Sequence, residues 1–335
     1  MSNELVSVII PTYKGSDSIC VALESLAQQT YKNIQVIVSD DNGPGESEQL
    51  KTQEIVDIYK SYISIDYLIN EHVNGSHARN EGLKKAKGEY VCFLDDDDFF
   101  LNDYIEKAVT TLSSNNECSI VFFNVVIASK DSSARIVSNE EIDYRDILFS
   151  TKEIGTGSNL FFRKNIYEET GGFDERYLRF QDFEFVTKKL KNYKSIWIKE
   201  NKIVKFFNKT DNYLNYQKSL QMQELYRNDS LEHGLINDEE LSKMRSVQQH
   251  NLYKDMLARY MPKEDVRNVY DLLLKNNDLS FSDKAMWQVY KTSKAIFKAV
   301  LGAYMYLVYG KSNNNGSEYL EFRTELQRNY LRKCK

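Results

Sequence analysis

Tyr90-Val-Cys-Phe-Leu94 runs straight into Asp95-Asp96-Asp97-Asp98. The apolar half reads as a strand buried on both faces, and four adjacent carboxylates end it. In an open α/β sheet, ligands collect beyond the carboxyl ends of the strands, so the acidic run falls where such a sheet binds its substrate. Two carboxylates about 5 Å apart repel by roughly 3 kcal/mol at an effective dielectric of about 20. A hard divalent cation taking oxygen ligands offsets that repulsion. The competing reading is a solvated acidic turn, and the position directly after a buried strand argues against it.

Upstream, Val6–Ile10 (ending in Pro11), Ile34–Val38 and Ile65–Ile69 read as further strands. Ser16–Gln29, Glu48–Tyr59 and Ser76–Ala86 carry helical spacing between them. This alternation predicts an α/β protein with a mostly parallel, doubly wound open sheet flanked by helices. Downstream the rhythm changes. Asn102 is placed to cap a helix running to about Ser113, and Ser119–Ala128 reads as a long strand. Asn159–Arg163 and Ser195–Ile198 read as shorter strands, with a helix over Phe183–Leu190. From Leu214 the pattern is helical almost throughout, broken at Pro262.

A boundary near Asn212 therefore gives an α/β domain over 1–212 and a helical C-terminal region over 213–335. That region is expected to serve packing, oligomer formation or membrane-surface contact. Within it, Ile296, Phe297, Val300, Leu301, Tyr304, Met305 and Val308 form one apolar stripe over Ala295–Tyr309. The stripe is shorter than the roughly 20 residues a bilayer span needs. It fits a helix buried on the protein or in a homo-oligomer, or an interfacial helix at a membrane surface.

The 335 residues are 41% hydrophobic with three prolines, enough for a large core and against long disorder. A net charge of −5 provides no global field to recruit nucleic acid. Cys20, Cys92, Cys118 and Cys334 are widely spaced, which is neither a zinc signature nor a secreted disulfide framework. The polar start leads directly into a strand without a signal-peptide pattern, so a cytoplasmic location is expected, at the inner face of the membrane if 295–309 binds there.

Further chemistry lines up at the same sheet edge. Asp40-Asp41 follows the second strand, and a carboxylate there can accept hydrogen bonds from a base or ribose; a turn or cap is the competing role. Tyr13 offers a face on which a base can stack. Asn74-Gly-Ser-His-Ala-Arg-Asn80 opens a helix with Arg79 in its first turns, a ready anion site. His72 and His77 show no metal-ligand spacing and read as structural.

Ser7-Val-Ile-Ile-Pro-Thr-Tyr13, Val38-Ser-Asp-Asp41, Asn74-Gly-Ser-His-Ala-Arg-Asn-Glu-Gly82 and Gly88-Glu-Tyr-Val-Cys-Phe-Leu-Asp-Asp-Asp-Asp98 together resemble the ordered signature of family 2 glycosyltransferases with the GT-A fold. The resemblance spans about residues 5–210. It implies an inverting transferase that moves one sugar from a nucleotide-sugar donor, UDP-linked by preference, to an acceptor hydroxyl on a glycan, lipid-linked or protein acceptor. It implies Mn²⁺ or Mg²⁺ held by Asp95 and Asp97, and a nucleotide-sugar site of Pro11, Thr12, Tyr13, Asp41, Asn74, Gly75, Arg79, Asp95 and Asp96. Gly171-Gly-Phe-Asp174 and Phe180-Gln-Asp-Phe-Glu184 resemble the segment that carries the catalytic base, which falls on Asp182 with Glu184 next in line. Bacterial cell-surface polysaccharide or glycoconjugate synthesis is the implied setting.

Three departures stand out. Gln181 replaces an acid before the base, and Ser39 replaces an apolar residue before Asp40. Phe206-Phe-Asn-Lys-Thr-Asp-Asn212 lacks the histidine that many relatives use for metal or diphosphate, leaving Asn208, Lys209 or Asp211 as substitutes. The first turn has neither the G-x-G-x-x-G of a dinucleotide oxidoreductase nor the Gly-rich basic loop of a nucleotidyltransferase. A GDP-sugar transferase and a non-catalytic nucleotide-binding module on the same fold are the remaining alternatives.

Overall fold

The structure is a computed structural model and describes residues 3–128, 133–206, 215–258, 261–292, 314–315 and 317–334. Asn208, Lys209 and Asp211, and the apolar stripe over 295–309, lie outside the described residues.

The strands are β1 (Val6–Thr12), β2 (Ile34–Asp40), β3 (Ile65–Ile69) and β4 (Tyr90–Phe93), then β5 (Phe99–Phe100), β6 (Cys118–Ala128), β7 (Ser133–Val137), β8 (Phe161–Arg163), β9 (Lys194–Phe206) and β10 (Asn314–Asn315). They join in one sheet of order β10-β7-β6-β8-β4-β1-β2-β3, with β9 pairing both β5 and β6. The first half is parallel: β1 pairs β2 and β4, and β2 pairs β3. Every residue of β1 is buried, as a strand covered on both faces requires, and its Val and Ile suit that pleated interior. The order steps from β1 outward to β3, then returns to β4 on the other side of β1. The crevice therefore opens beyond the ends of β1 and β4.

The second half is mixed, where the first is parallel. β8 runs antiparallel between β4 and β6, β7 is antiparallel to β6, and β9 is parallel to β6. The sheet is mixed, open and flanked by helices. β9 also extends eight residues beyond Ile198, across the polar Lys199–Lys202 stretch, because register shifts near Phe123 and Asn124 let it continue along β6.

Helices α1 (Ile19–Ala27), α2 (Ser47–Tyr59), α3 (Gly75–Lys85) and α4 (Tyr104–Ser114) follow the strands, then the short α5 (Tyr144–Leu148) and α6 (Asn165–Thr170), and α7 (Gln181–Asn192). Asp103, not Asn102, stands at the start of α4. In α2, Thr52, Ile55, Val56 and Tyr59 form the buried stripe, three and four residues apart. The four cysteines are free thiols, three of them buried.

The chain forms two compact units: Met1–Ile147, Lys152–Phe207 and Asn314–Lys335 in one, Leu148–Thr151 and Asn208–Asn313 in the other. The second is built from α8 (Tyr216–Glu232), α9 (Asp238–Ala258), α10 (Lys263–Lys275) and α11 (Phe281–Thr292). Its core gathers Tyr253, Met256, Val266, Val269, Leu273 and Trp287. Pro262 stands just before α10, where its fixed φ suits a helix start. The final helix, Ser317–Lys333, belongs to the first unit although a division at 212 would assign it to the C-terminal region.

Candidate active site

β1, β2 and β4 all end at the crevice, and the chain leaving each brings its polar residues there. Pro11, Thr12, Tyr13, Asp41, Gly75, Ala78, Arg79, Asp95, Asp96 and Asp97 line one cavity of about 200 Å³. Asn74 is not among them. Its carboxamide caps α3 by accepting from the His77 N–H at 3.0 Å and donates to the Glu175 carbonyl.

The acidic residues have separate environments. Asp95 Oδ1 accepts from Arg79 Nη2 at 2.6 Å, and Lys205 Nζ lies 3.9 Å from Asp95 Oδ2. Burial raises the Asp95 carboxyl, but Arg79 and Lys205 outweigh it and hold the group below the ordinary carboxylate range. Asp96 Oδ2 accepts from the Thr12 hydroxyl at 2.5 Å. Burial, followed by Asp97 and Asp95, pushes Asp96 up to about 7. Gly15 permits this approach, since a Cβ there would stand 1.9 Å from Asp96 Oδ2.

Asp98 is fully buried and accepts from the hydroxyls of Thr156 at 2.9 Å and Ser158 at 2.7 Å, while its Oδ1 has no hydrogen-bond partner. Burial raises its carboxyl to about 8 against the opposing pull of Lys205, and Asp97 and Asp95 add to the rise. Lys205 is correspondingly raised by Asp98.

The Thr156–Ser158 turn also reaches the next carboxylate. A Cβ on Gly157 would stand 3.0 Å from Asp182 Oδ1, so Asp182 rests directly against the turn that grips Asp98. Asp182 is in the first turn of α7, and aromatic packing fixes that helix: Phe185 stacks on Phe173 with ring centroids 4.2 Å apart. Phe173 is clasped in turn by Asn80, which exchanges two hydrogen bonds with its backbone. Burial raises the Asp182 carboxyl and Asp95 adds to it, against Arg79 and Lys205. Its Oδ1 is buried without a hydrogen-bond partner. Glu184 faces elsewhere in its bonding: it is buried and paired with Lys188 one turn along α7.

At the opposite end of the cavity, Asp41 is buried and accepts from the Val73 N–H at 3.1 Å, and His72 Nδ1 lies 2.9 Å from its Oδ2. Burial raises Asp41, and these two contacts oppose the rise. Asp40 is committed to the scaffold, bound by Asn42 and by the Tyr67 hydroxyl. His72 is more than structural filling: its ring stacks on Tyr13 at 4.1 Å and 5°. Both rings also line a neighbouring cavity of about 630 Å³ with Lys14, Asn42 and Glu71.

The donor set suits a hard cation. Asp95, Asp96 and Asp97 present oxygen atoms to one cavity, and carboxylates outnumber the cations Arg79 and Lys205 around it. Among the described residues, no group of three or more His, Cys, Asp or Glu side chains is arranged to hold a metal ion by itself. That arrangement fits a cation that takes one or two carboxylates and completes its shell from substrate phosphates. Thr156, Ser158, Lys205 and His72 are the contributors that sequence reasoning passed over.

The profile described as Glycosyl transferase family 2 matches residues 7–171. The amylovoran biosynthesis glycosyltransferase AmsB of Erwinia amylovora is 31% identical over 188 residues, 53% of this chain and 61% of AmsB. The Escherichia coli enzyme WfgD, a UDP-Glc:alpha-D-GlcNAc-diphosphoundecaprenol beta-1,3-glucosyltransferase, is 31% identical over 159 residues, 47% of this chain and 59% of WfgD. The alignments thus span about three fifths of these relatives. The crystal structure of S. aureus TarS 1-349 in complex with UDP-GlcNAc superposes with a TM-score of 0.59 at 17% identity, covering 90% of this chain and 91% of TarS 1-349. That likeness shows the fold, the GT-A arrangement of an open mixed sheet with flanking helices.

Proposed function

Because residues 7–171 place the chain in glycosyl transferase family 2, we propose that it transfers one sugar from a UDP-sugar to an acceptor hydroxyl with inversion at the anomeric carbon. The observation that carries this reading is that Tyr13, Asp41, Arg79 and Asp95–Asp97 line one cavity, while Asp182 packs against the turn whose hydroxyls hold Asp98.

Tyr13 gives the base a stacking face, and Asp41 accepts the N3–H of uracil, which cytosine lacks. Arg79 fixes and charges Asp95 through their hydrogen bond, so that carboxylate meets the donor in its ionised form. Asp95 and Asp97 would hold Mn²⁺ or Mg²⁺, which when bound supplies positive charge to the leaving diphosphate. Lys205 adds a fixed cation beside the same carboxylates, in the role left open by the missing histidine. Asp182 takes the proton of the attacking acceptor hydroxyl. Its raised pKa makes it a stronger base than an exposed carboxylate, and Oδ1 has no hydrogen-bond partner to compete for that proton.

The names of AmsB and WfgD support a role in bacterial cell-surface polysaccharide or glycoconjugate synthesis, with a glycan on a lipid-linked carrier as the favoured acceptor. Among the described residues no helix is long and apolar enough to cross a membrane. Calorimetry with Mn²⁺ tests the donor site: UDP should bind more tightly than CDP or GDP, Asp41→Ala should narrow that gap, and chelation or Asp97→Ala should weaken all three. Equal affinities for UDP and CDP would contradict the base assignment. Undiminished turnover after exhaustive chelation would contradict the metal.

A further inference from the structure

The final helix, Ser317–Lys333, is anchored in the first unit by residues far from it in sequence. Leu326 is fully buried, the Lys333 ammonium pairs with the buried Glu24 carboxylate of α1, and Tyr330 stacks on Tyr59 with ring centroids 6.2 Å apart. At its start the Tyr319 hydroxyl accepts from the Asn201 amide at 3.3 Å. These four contacts, spread over the length of the helix, fix where the residues between them lie.

Two of those residues pack on chain neighbours of the site's charged groups. The Phe322 ring packs 5.4 Å from that of Phe99, the residue immediately after Asp98. The Arg323 guanidinium stands 4.3 Å from the ring centroid of Phe206, the residue immediately after Lys205. Arg323 therefore lies on the chain neighbour of Lys205, and the residue before it lies on the chain neighbour of Asp98. Its Nε is buried and has no hydrogen-bond partner. Burial works against its charge, and Asp97, Cys20 and Asp98 work to keep it.

We propose that Arg323 is a donor-phosphate residue, which together with Lys205 receives the diphosphate of the nucleotide sugar. This rests on the transferase reading above. A guanidinium suits the task better than a second ammonium, because its planar fork meets two phosphate oxygens at once and stays charged when partly buried. The final helix is then a working part of the transferase unit, and its return to that unit delivers one cation to the site.

The test compares UDP with uridine, which shares the base and ribose but has no phosphate, by NMR titration in Mn²⁺ buffer. Arg323→Met keeps the apolar stem over Phe206 and removes the charge; Arg323→Lys keeps a charge. Arg323→Met should weaken UDP by about tenfold and leave uridine within twofold of wild type, and Arg323→Lys should recover part of the loss. An unchanged UDP-to-uridine affinity ratio in Arg323→Met would overturn the proposal, as would equal weakening of both ligands in both variants, which marks packing alone. A wild-type protein that binds no nucleoside diphosphate would overturn the transferase reading, and this proposal with it.

Discussion

Arg79 Nη2 donates to Asp95 Oδ1 across 2.6 Å, in an ion pair whose side chains are only 7% and 20% exposed. Removing one member of a buried pair leaves the other uncompensated, here beside three more carboxylates. Arg79→Met should therefore cost about 3 kcal/mol of stability at neutral pH in chelator. Arg79→Met combined with Asp95→Asn should cost less than Arg79→Met alone, because the orphaned charge is gone. Urea denaturation reads both. A single variant within about 0.5 kcal/mol of wild type would mean the pair is not coupled to folding.

Gly157 offers a way to disturb Asp182 without touching it. An added Cβ would stand 3.0 Å from Asp182 Oδ1 and 3.1 Å from both Cγ and Oδ2, tighter than ordinary packing allows. Gly157→Ala should lower kcat by at least about tenfold, since small displacements of a catalytic group are costly. The donor KM should stay within about twofold, because Tyr13, Asp41 and Asp95 are untouched. Wild-type kcat in this variant would separate Asp182 from the chemistry.

Lys189 should give the protein a readable pH dependence away from the crevice. It is buried, donates to the Gly171 carbonyl at 2.8 Å, and burial lowers its pKa to about 7. Between pH 7 and roughly 10 the unfolded chain holds this proton and the folded protein does not, so the unfolded state binds more protons there. Stability contributed by this site therefore rises with pH across that window. Comparing Tm at pH 7 and 9.5, Lys189→Met should gain less on raising the pH than wild type does. Identical pH slopes would contradict the burial of an uncharged amine.

Much of the first half of the fold was legible because the physics there is local. β1 to β4 are short apolar runs, and the intervening helices repeat apolar residues three and four apart. β5 was hidden: Phe99-Phe100 continues the acidic run without a break and becomes a strand only by pairing with β9. The strand read over Ser195–Ile198 stops short of the polar centre of β9, where Lys202 pairs with Asp103 at 2.6 Å at the start of α4, a contact no local pattern announces. At the site, the carboxylates stood out because acid after a buried strand is unusual. Thr156 and Ser158 did not, since hydroxyls 58 and 60 residues downstream of Asp98 have no periodicity to betray them. Lys205 was a single cation in ordinary surroundings until the sheet brought it to 3.9 Å from Asp95 Oδ2. His72 lacked metal-ligand spacing, and its stacking on Tyr13 depends on β1 and the loop after β3 leaving the same sheet edge.

The most direct test of the transferase chemistry is a side-by-side measurement of kcat and UDP affinity for Asp182→Asn. The amide keeps the shape of the side chain against Gly157 but cannot take a proton at neutral pH. A group that acts only as the acceptor hydroxyl is deprotonated contributes to the transition state and not to donor binding. The expected result is a kcat lower by on the order of 10²-fold or more, with UDP affinity within about twofold of wild type. Near-wild-type kcat would contradict Asp182 as the base.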